Sequence, residues 1–282
     1  MSRNRERAGS QRPDTGAPHS VAGENPGFSF VVPTEFVELP SKGKFYPPGH
    51  PLHDEGSVEI RQMTAKEEDM LTSRTLLKKG IAIDRVLESL IVDKSIDPDS
   101  LLIGDRNAII IATRVSGYGN DYNTTVTCPA CNAQQKYSFD LNDTDIFYGE
   151  PTVERGIIDN GDGTFNTTLP RSQVSITFKL LTGRDEKSLL NGVESDRKQK
   201  ITERSVTRQI VSIVTAVNGD TSSQAINYLV QNIPSIDSRH LRLMYKVVAP
   251  NVDLTQNFQC EECAHEQDME VPLSADFFWP DR

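Results

Sequence analysis

All four cysteines of the 282-residue chain fall in two Cys-x-x-Cys pairs, Cys128-Pro129-Ala130-Cys131 and Cys260-Glu261-Glu262-Cys263. Zinc accepts four thiolates in a closed tetrahedral site, so the two pairs can supply one complete ligand set. Redox use of such a pair wants it at the start of a helix, whose N-terminus lowers a thiol pKa. Neither pair precedes helical periodicity. Asn123–Thr127 and Gln135–Phe139 flank the first, and Gln256–Gln259 and Gln267–Val271 flank the second, all of β type. Each pair is therefore expected at the tip of a hairpin. Together the two hairpins would form a zinc ribbon with structural Zn²⁺ on Cys128, Cys131, Cys260 and Cys263. Redox pairs and disulfides are the alternatives. A catalytic zinc would need an open position, and the one nearby candidate ligand, His265, reads as a solvated knuckle residue.

The pairs lie far apart. An ordinary ribbon separates them by roughly 15–20 residues, so the intervening segment must be a folded unit whose ends meet. Loop-closure entropy grows only logarithmically with length, which permits such an insert.

Other chemistries find little support. There is no Gly-x-x-x-x-Gly-Lys-Ser/Thr phosphate loop. The Asp159-Asn160-Gly161-Asp162-Gly163 stretch departs from calcium-loop spacing and lacks a closing Glu, so a hairpin turn is expected there. His240 has no carboxylate or cysteine at a useful spacing. The formal charge of −10 and pI near 5.1 disfavour general phosphate binding. Residues 250–282 hold eight acidic side chains, including Glu261, Glu262, Glu266, Asp268 and Glu270, against Arg282 alone. No apolar run reaches the roughly 20 residues that cross a bilayer, and no signal peptide is evident, so a reducing cytoplasm and no membrane partner are expected.

The elements that would position the cysteines can be read in outline. Thr64-Ala65-Lys66-Glu67 has the capping-box pattern and starts a helix to about Ser73. Ile83, Val86, Leu87 and Leu90 stripe a second helix, and Asp105 is expected to cap a third, with Ala108, Ile109, Ile111, Ala112 and Val115 on its buried face. Val58–Met63, Ile157–Phe165 and Val174–Phe178 read as strands. Glu194–Lys200 reads as an exposed mixed-charge stretch, and Val206, Ile210, Val211, Val214 and Val217 as one helix ending at Asn218-Gly219. Two further helices precede Pro234 and Pro250. The fold class is α+β: a helical lobe plus β-hairpins, joined by a split zinc ribbon. The expected organisation is a disordered arm over 1–27, an N-terminal lobe with the first knuckle over 28–142, an inserted lobe over 143–250, and the second knuckle with an aromatic terminus over 251–282.

Four stretches carry a family resemblance. They are Leu39-Pro40-Ser41-Lys42-Gly43-Lys44-Phe45-Tyr46, Ile60-Arg61-Gln62-Met63-Thr64-Ala65-Lys66-Glu67-Glu68-Asp69, Leu76-Leu77-Lys78-Lys79-Gly80-Ile81-Ala82-Ile83-Asp84 and Gly104-Asp105-Arg106. Over roughly residues 36 to 120 the chain resembles the baseplate hub and assembly proteins of T4-like contractile-tailed phages. The resemblance implies a component that acts through surfaces, not an enzyme, with no catalytic residues to carry over. It implies other baseplate and tail proteins as partners, oligomers only within the assembly, and a place in the virion tail baseplate after assembly in the host cytoplasm.

Two surfaces are expected to meet those partners. One is the loop of Lys42, Lys44, Phe45 and Tyr46. The other is Phe277-Phe278-Trp279, which either folds back on the ribbon or docks on a neighbour, because exposed aromatic clusters are costly. The competing reading is a zinc-ribbon regulator that binds nucleic acid. It rests on Arg3, Arg5, Arg7 and Arg12, and the acidic second knuckle opposes it, so no specific nucleic acid is expected.

Overall fold

The structure is a computed structural model that describes residues 21–22, 31–150, 153–271 and 275–278. Most of the expected arm over 1–27, and Trp279, lie outside the described residues. The two short strands β1 (Val21–Ala22) and β2 (Val31–Val32) pair antiparallel. They lead into a second antiparallel pair, β3 (Thr34–Glu38) with β4 (Ser57–Arg61). The long connection between these strands turns at Gly43, which has φ 73°, and a Cβ there would strike the backbone of Leu52 and Glu55. Only glycine fits that turn.

After β4 the apolar period changes from two to about 3.6 and helices follow. In α1 (Ala65–Thr72), the Glu67 carboxylate accepts from the Thr64 N–H at 3.0 Å and its hydroxyl at 2.7 Å. The short α2 (Arg74–Lys79) has no buried residue, and so left no apolar stripe in the sequence to announce it. Helix α3 (Ala82–Leu90) buries Val86, Leu87 and Leu90. The central helix α4 (Ile103–Tyr118) begins one turn earlier than Asp105 would place it. Leu102 holds the cap position and Asp105 lies inside the first turn, fully buried, with its carboxylate turned to another segment.

The chain then makes a hairpin of β5 (Asp121–Thr127) and β6 (Gln134–Asp140), followed by the short strand β7 (Asp145–Phe147). A four-stranded antiparallel sheet comes next, in the order β11-β10-β9-β8. Its strands are β8 (Ile157–Asp159), β9 (Thr164–Thr168), β10 (Ser175–Lys179) and β11 (Val214–Val217). Between β10 and β11 lie α5 (Gly183–Lys198) and α6 (Ser205–Ile213).

Two expectations fail here. The helix expected to run to Val217 ends at Ile213, and Val214–Val217 becomes a strand that pairs with β10. Its burial alternates, with Val214 and Ala216 inside, and β-branched residues suit that pleated surface better than a fourth helical turn. The mixed-charge stretch after Val193 is helical to Lys198, and Asp196 within it is buried. Arg204 and Arg208 both reach Asp196 Oδ1 at 2.8 Å. Those hydrogen bonds, Arg208 first, hold its carboxyl well below the usual range.

Helices α7 (Ser223–Asn232) and α8 (Ser235–Val248) lead to β12 (Asn251–Asp253), which pairs with β7 and so brings the two ends of the long intervening segment together. The hairpin of β13 (Thr255–Gln259) and β14 (Glu266–Glu270) and a 3₁₀ turn at Ala275–Phe278 complete the described chain. One connected apolar core runs from Val37 to Phe278. Phe45 from the early loop meets Phe165 of β9 at 5.5 Å, and Ile103 donates its N–H to the Leu181 carbonyl at 3.1 Å. Arg106 on α4 adds ion pairs to Asp84 at 3.0 Å and Glu186 at 2.6 Å.

Candidate metal centre and its surroundings

The two cysteine hairpins fold at their tips in the same way. In the first, Cys128 N–H donates to the Ala133 carbonyl and Asn132 N–H to that of Cys128, both at 2.9 Å. In the second, Cys260 and Ala264 repeat the pattern with His265 and Cys260, again at 2.9 Å. The chain reverses at Asn132 (φ 58°) and Ala264 (φ 55°), the fourth residue after each leading cysteine. This turn lets both sulfurs of a pair face the same side. Cys128 and Cys260 are buried, and Cys131 and Cys263 are exposed.

All four Sγ atoms lie within 4.8 Å of one another. Cys128 Sγ is 3.8 Å from Cys263 Sγ, and Cys131 Sγ is 3.7 Å from Cys260 Sγ. A tetrahedral ion with metal–sulfur bonds of about 2.3 Å sets its sulfurs about 3.8 Å apart, so the cage has the right size. A disulfide needs about 2.05 Å, and all four cysteines are free. The backbone N–H of Cys131 is the main cause that brings the Cys128 thiol down to about 6. Cys263 moves the other way, to about 12: the His265 N–H lowers it, but hydrogen bonding among the crowded sulfurs raises it more. Four thiols this close cannot all ionise without a cation among them. The donor set thus fits a metal ion, and a four-thiolate shell leaves no open position.

Side-chain amides hold the hairpins together behind the cage. Gln135 donates to the Gln259 carbonyl at 3.1 Å and accepts from the Glu261 N–H at 3.0 Å, gripping the chain on both sides of Cys260. From the other hairpin, Gln256 donates to the Asp140 carbonyl at 2.6 Å and accepts from the Asp140 N–H at 3.2 Å. The Tyr137 hydroxyl donates to the Asn257 carbonyl at 2.9 Å, and its ring lies 4.9 Å from Phe139 and 5.2 Å from Phe258. The outer face is acidic: Glu266, Asp268 and Glu270, at alternate positions of β14, are all exposed. His265 makes a 3.4 Å contact with Gln267 and is not among the grouped ligands.

Phe277 and Phe278 fold back into the chain. Both are buried, and Phe277 packs edge-on against Tyr122 at 5.2 Å. Arg114, fully buried on α4, holds this end: its Nε donates to the Phe277 carbonyl at 2.7 Å, while its other nitrogens reach the carbonyls of Gly119 at 2.6 Å and Asp121 at 3.1 Å. Nothing in the spacing of the sequence singles out Arg114.

In the early loop, Phe45 and Tyr46 are buried and Lys42 and Lys44 exposed. Asp105 is the anchor. It accepts from the Ser41 N–H at 2.9 Å, the Ser41 hydroxyl at 2.6 Å and the Tyr46 hydroxyl at 2.7 Å. Burial raises the Asp105 pKa, with the Ser41 hydrogen bonds offsetting part of the shift. Burial, with Asp105 alongside, pushes the Tyr46 phenol up as well. Lys42 Nζ sits 3.8 Å over the Tyr148 ring, whose hydroxyl donates to Glu38 at 3.0 Å. The loop is therefore a rigid turn that presents its lysines and keeps its rings inside.

The fold is α+β, and at the meeting of two hairpins it groups four cysteine sulfurs that could hold a metal ion. Residues 32–279 match the model of a family described as T4 bacteriophage base plate protein. The chain belongs to that family, and is a structural protein of the phage baseplate with other tail and baseplate proteins as its partners. No curated protein and no solved structure matches it.

Proposed function

We propose that this protein is a non-catalytic component of a contractile tail baseplate, placed at or near the hub and assembled in the host cytoplasm. In this reading Cys128, Cys131, Cys260 and Cys263 hold one structural Zn²⁺, and the two hairpins form a split zinc ribbon. The ribbon clips the 28–142 lobe, the 143–250 lobe and the 251–282 end to one another. The observation that carries the reading is the cage itself: sulfurs 129 residues apart in sequence stand 3.7 Å apart in space. A clip of that span resists separation when a tail changes shape. Binding to neighbours is assigned to the exposed Lys42 and Lys44, on a loop stiffened by Phe45 and Tyr46, and to Trp279 beyond the inward-facing Phe277 and Phe278. The acidic row of β14 opposes the alternative of a nucleic-acid-binding regulator, since phosphate contacts need cations.

Two measurements test this. Metal analysis of the purified protein should find one zinc per chain, and Cys260→Ser should lose the metal and lower the melting temperature together; unchanged stoichiometry would rule out this ligand set. Phage lacking the gene should yield lysates without complete baseplates by electron microscopy. Complete, functional baseplates in its absence would sink the structural role.

A further inference from the structure

The half-buried His50 joins two stretches of chain that lie 50 residues apart. Its Nε2 is 2.8 Å from the hydroxyl oxygen of Ser100, in the 3₁₀ turn Pro98–Ser100, and its Nδ1 is 3.1 Å from the backbone nitrogen of Leu52. The partners fix where the protons are. A backbone N–H only donates, so Nδ1 is the acceptor. Ser100 gives its own hydroxyl proton to the Asp97 carbonyl at 2.7 Å, so its oxygen accepts from Nε2–H. The neutral imidazole protonated on Nε2 is thus the one form that makes both bonds. A second proton would sit on Nδ1, facing the Leu52 N–H, and break that contact.

The bond to Leu52 lies beneath the lysine loop. Leu52 is buried, and Gly43, between Lys42 and Lys44, turns so tightly against its carbonyl that a Cβ would come within 2.6 Å. Gly43 in turn accepts from the Asp54 N–H at 3.1 Å. The Tyr46 ring, whose hydroxyl is held by Asp105, stacks on the imidazole at 4.3 Å. We propose that His50 is a pH-sensitive clasp, which when neutral pins the 39–56 loop to the Pro98–Ser100 turn and when protonated lets go. Burial lowers the His50 pKa from its ordinary 6.5, and Asp97, itself paired with Arg184 of α5 at 3.0 Å, offsets part of that. The folded state therefore binds fewer protons here than the unfolded one, and stability falls as pH drops below 6.5. His53 is wired the opposite way. Its Nδ1 donates to the Tyr46 carbonyl at 2.7 Å and its Nε2 faces Asp54 at 3.5 Å, so a second proton breaks nothing and meets a carboxylate. With Lys42 and Lys44 as a partner contact, opening the clasp would loosen that contact in acid; this consequence rests on the proposed use of the loop, whereas the titration does not.

Magnetic resonance of the full-length protein tests the proposal, following the His50 ring and the amide-exchange protection of Leu52 from about pH 7.5 to 5.5, corrected for the intrinsic pH dependence of exchange. The ring should titrate below 6.5. As it does, protection at Leu52 should fall about fivefold, the factor one hydrogen bond of ordinary strength supplies, while α4 stays unchanged. His50→Asn keeps an acceptor toward Leu52, and His50→Gln keeps a donor toward Ser100. Neither takes a proton, so both should give flat profiles whatever their overall stability. His53→Gln should keep the wild-type fall. A wild type as flat as the His50 variants, a fall that persists in both of them, or one abolished by His53→Gln would overturn the proposal.

Discussion

Glu67 is one side chain through which pH reaches stability directly. It is fully buried and takes an ion pair from Arg61 at 2.6 Å, a hydrogen bond from Ser89 at 2.7 Å and two from Thr64. Burial alone would raise its pKa, but the hydrogen bonds from Arg61, Thr64 and Ser89 outweigh it and bring the carboxyl from 4.5 to about 2. A depressed acid stabilises the fold above its unfolded value and loses that contribution as pH falls through the folded one. Glu67→Gln should therefore cost about 3 kcal/mol near neutral pH, the lower end for breaking a buried pair. The deficit should shrink between pH 4.5 and pH 2. Thermal melts of both proteins at pH 7 and pH 3 check this, and an equal gap at the two pH values would refute it. Half of this cluster could be read in advance, because Thr64 and Glu67 have capping-box spacing, whereas Arg61 and Ser89 reach the same carboxylate only through the packing of β4 and α3. The cage shows the same division. Its four sulfurs were plain from composition, while Gln135, Gln256 and Arg114 act through contacts more than a hundred residues long, which leave no local pattern.

At the scale of elements, α4 and β12 come so close that a Cβ at Gly104 would strike the Pro250 carbonyl. Gly104→Ala sets two effects against each other. Alanine gains about 1 kcal/mol in helix propensity, but overpacking costs about 1–3 kcal/mol, at the upper end where backbone rather than a side-chain tip must yield. The collision should win, giving a net loss of about 1–2 kcal/mol. Denaturant titration measures it, and a stabilised variant would show that β12 can slide away from α4. Most elements declared themselves by period: α3, α4, α7 and α8 by apolar stripes, and β5, β6, β13 and β14 by β-type runs around the cysteines. One misreading fell where two elements meet without a turn residue. Ile210 and Ile213 continue smoothly into Val214 and Ala216, so a helical stripe and a strand alternation share one apolar run, and only the pairing of β11 with β10 divides it. Asp105 was misplaced for a related reason, since an acidic residue near a helix start suits the cap and the first turn alike.

For the whole molecule, the decisive question is how much of the fold depends on the clip. The cage spans 129 residues between Cys131 and Cys260, and in the chain-entropy picture closing a loop of that order is worth about 4–5 kcal/mol. The same ends are also tied without metal, by the pairing of β7 with β12, by Gln135 and Gln256, and by the Tyr137–Phe258 contact. Cys128 and Cys260 are only two of the many members of the connected apolar core, which also joins α4 to the four-stranded sheet through Ile109, Phe165, Ile176 and Phe178. With the proposed zinc in the cage, removing it should release the hairpins before the core. A strong chelator is expected to lower the melting temperature by about 10 °C or more, since 1 kcal/mol moves a domain of this size by about 2–4 °C. Amide exchange should speed up over 121–140 and 255–270, and in the 275–278 turn that packs on Tyr122, while α4, β9 and β10 stay protected. Uniform loss of protection would mean that the clip holds the entire fold. No change at all would mean that the amides and rings suffice, and that the metal is not structural.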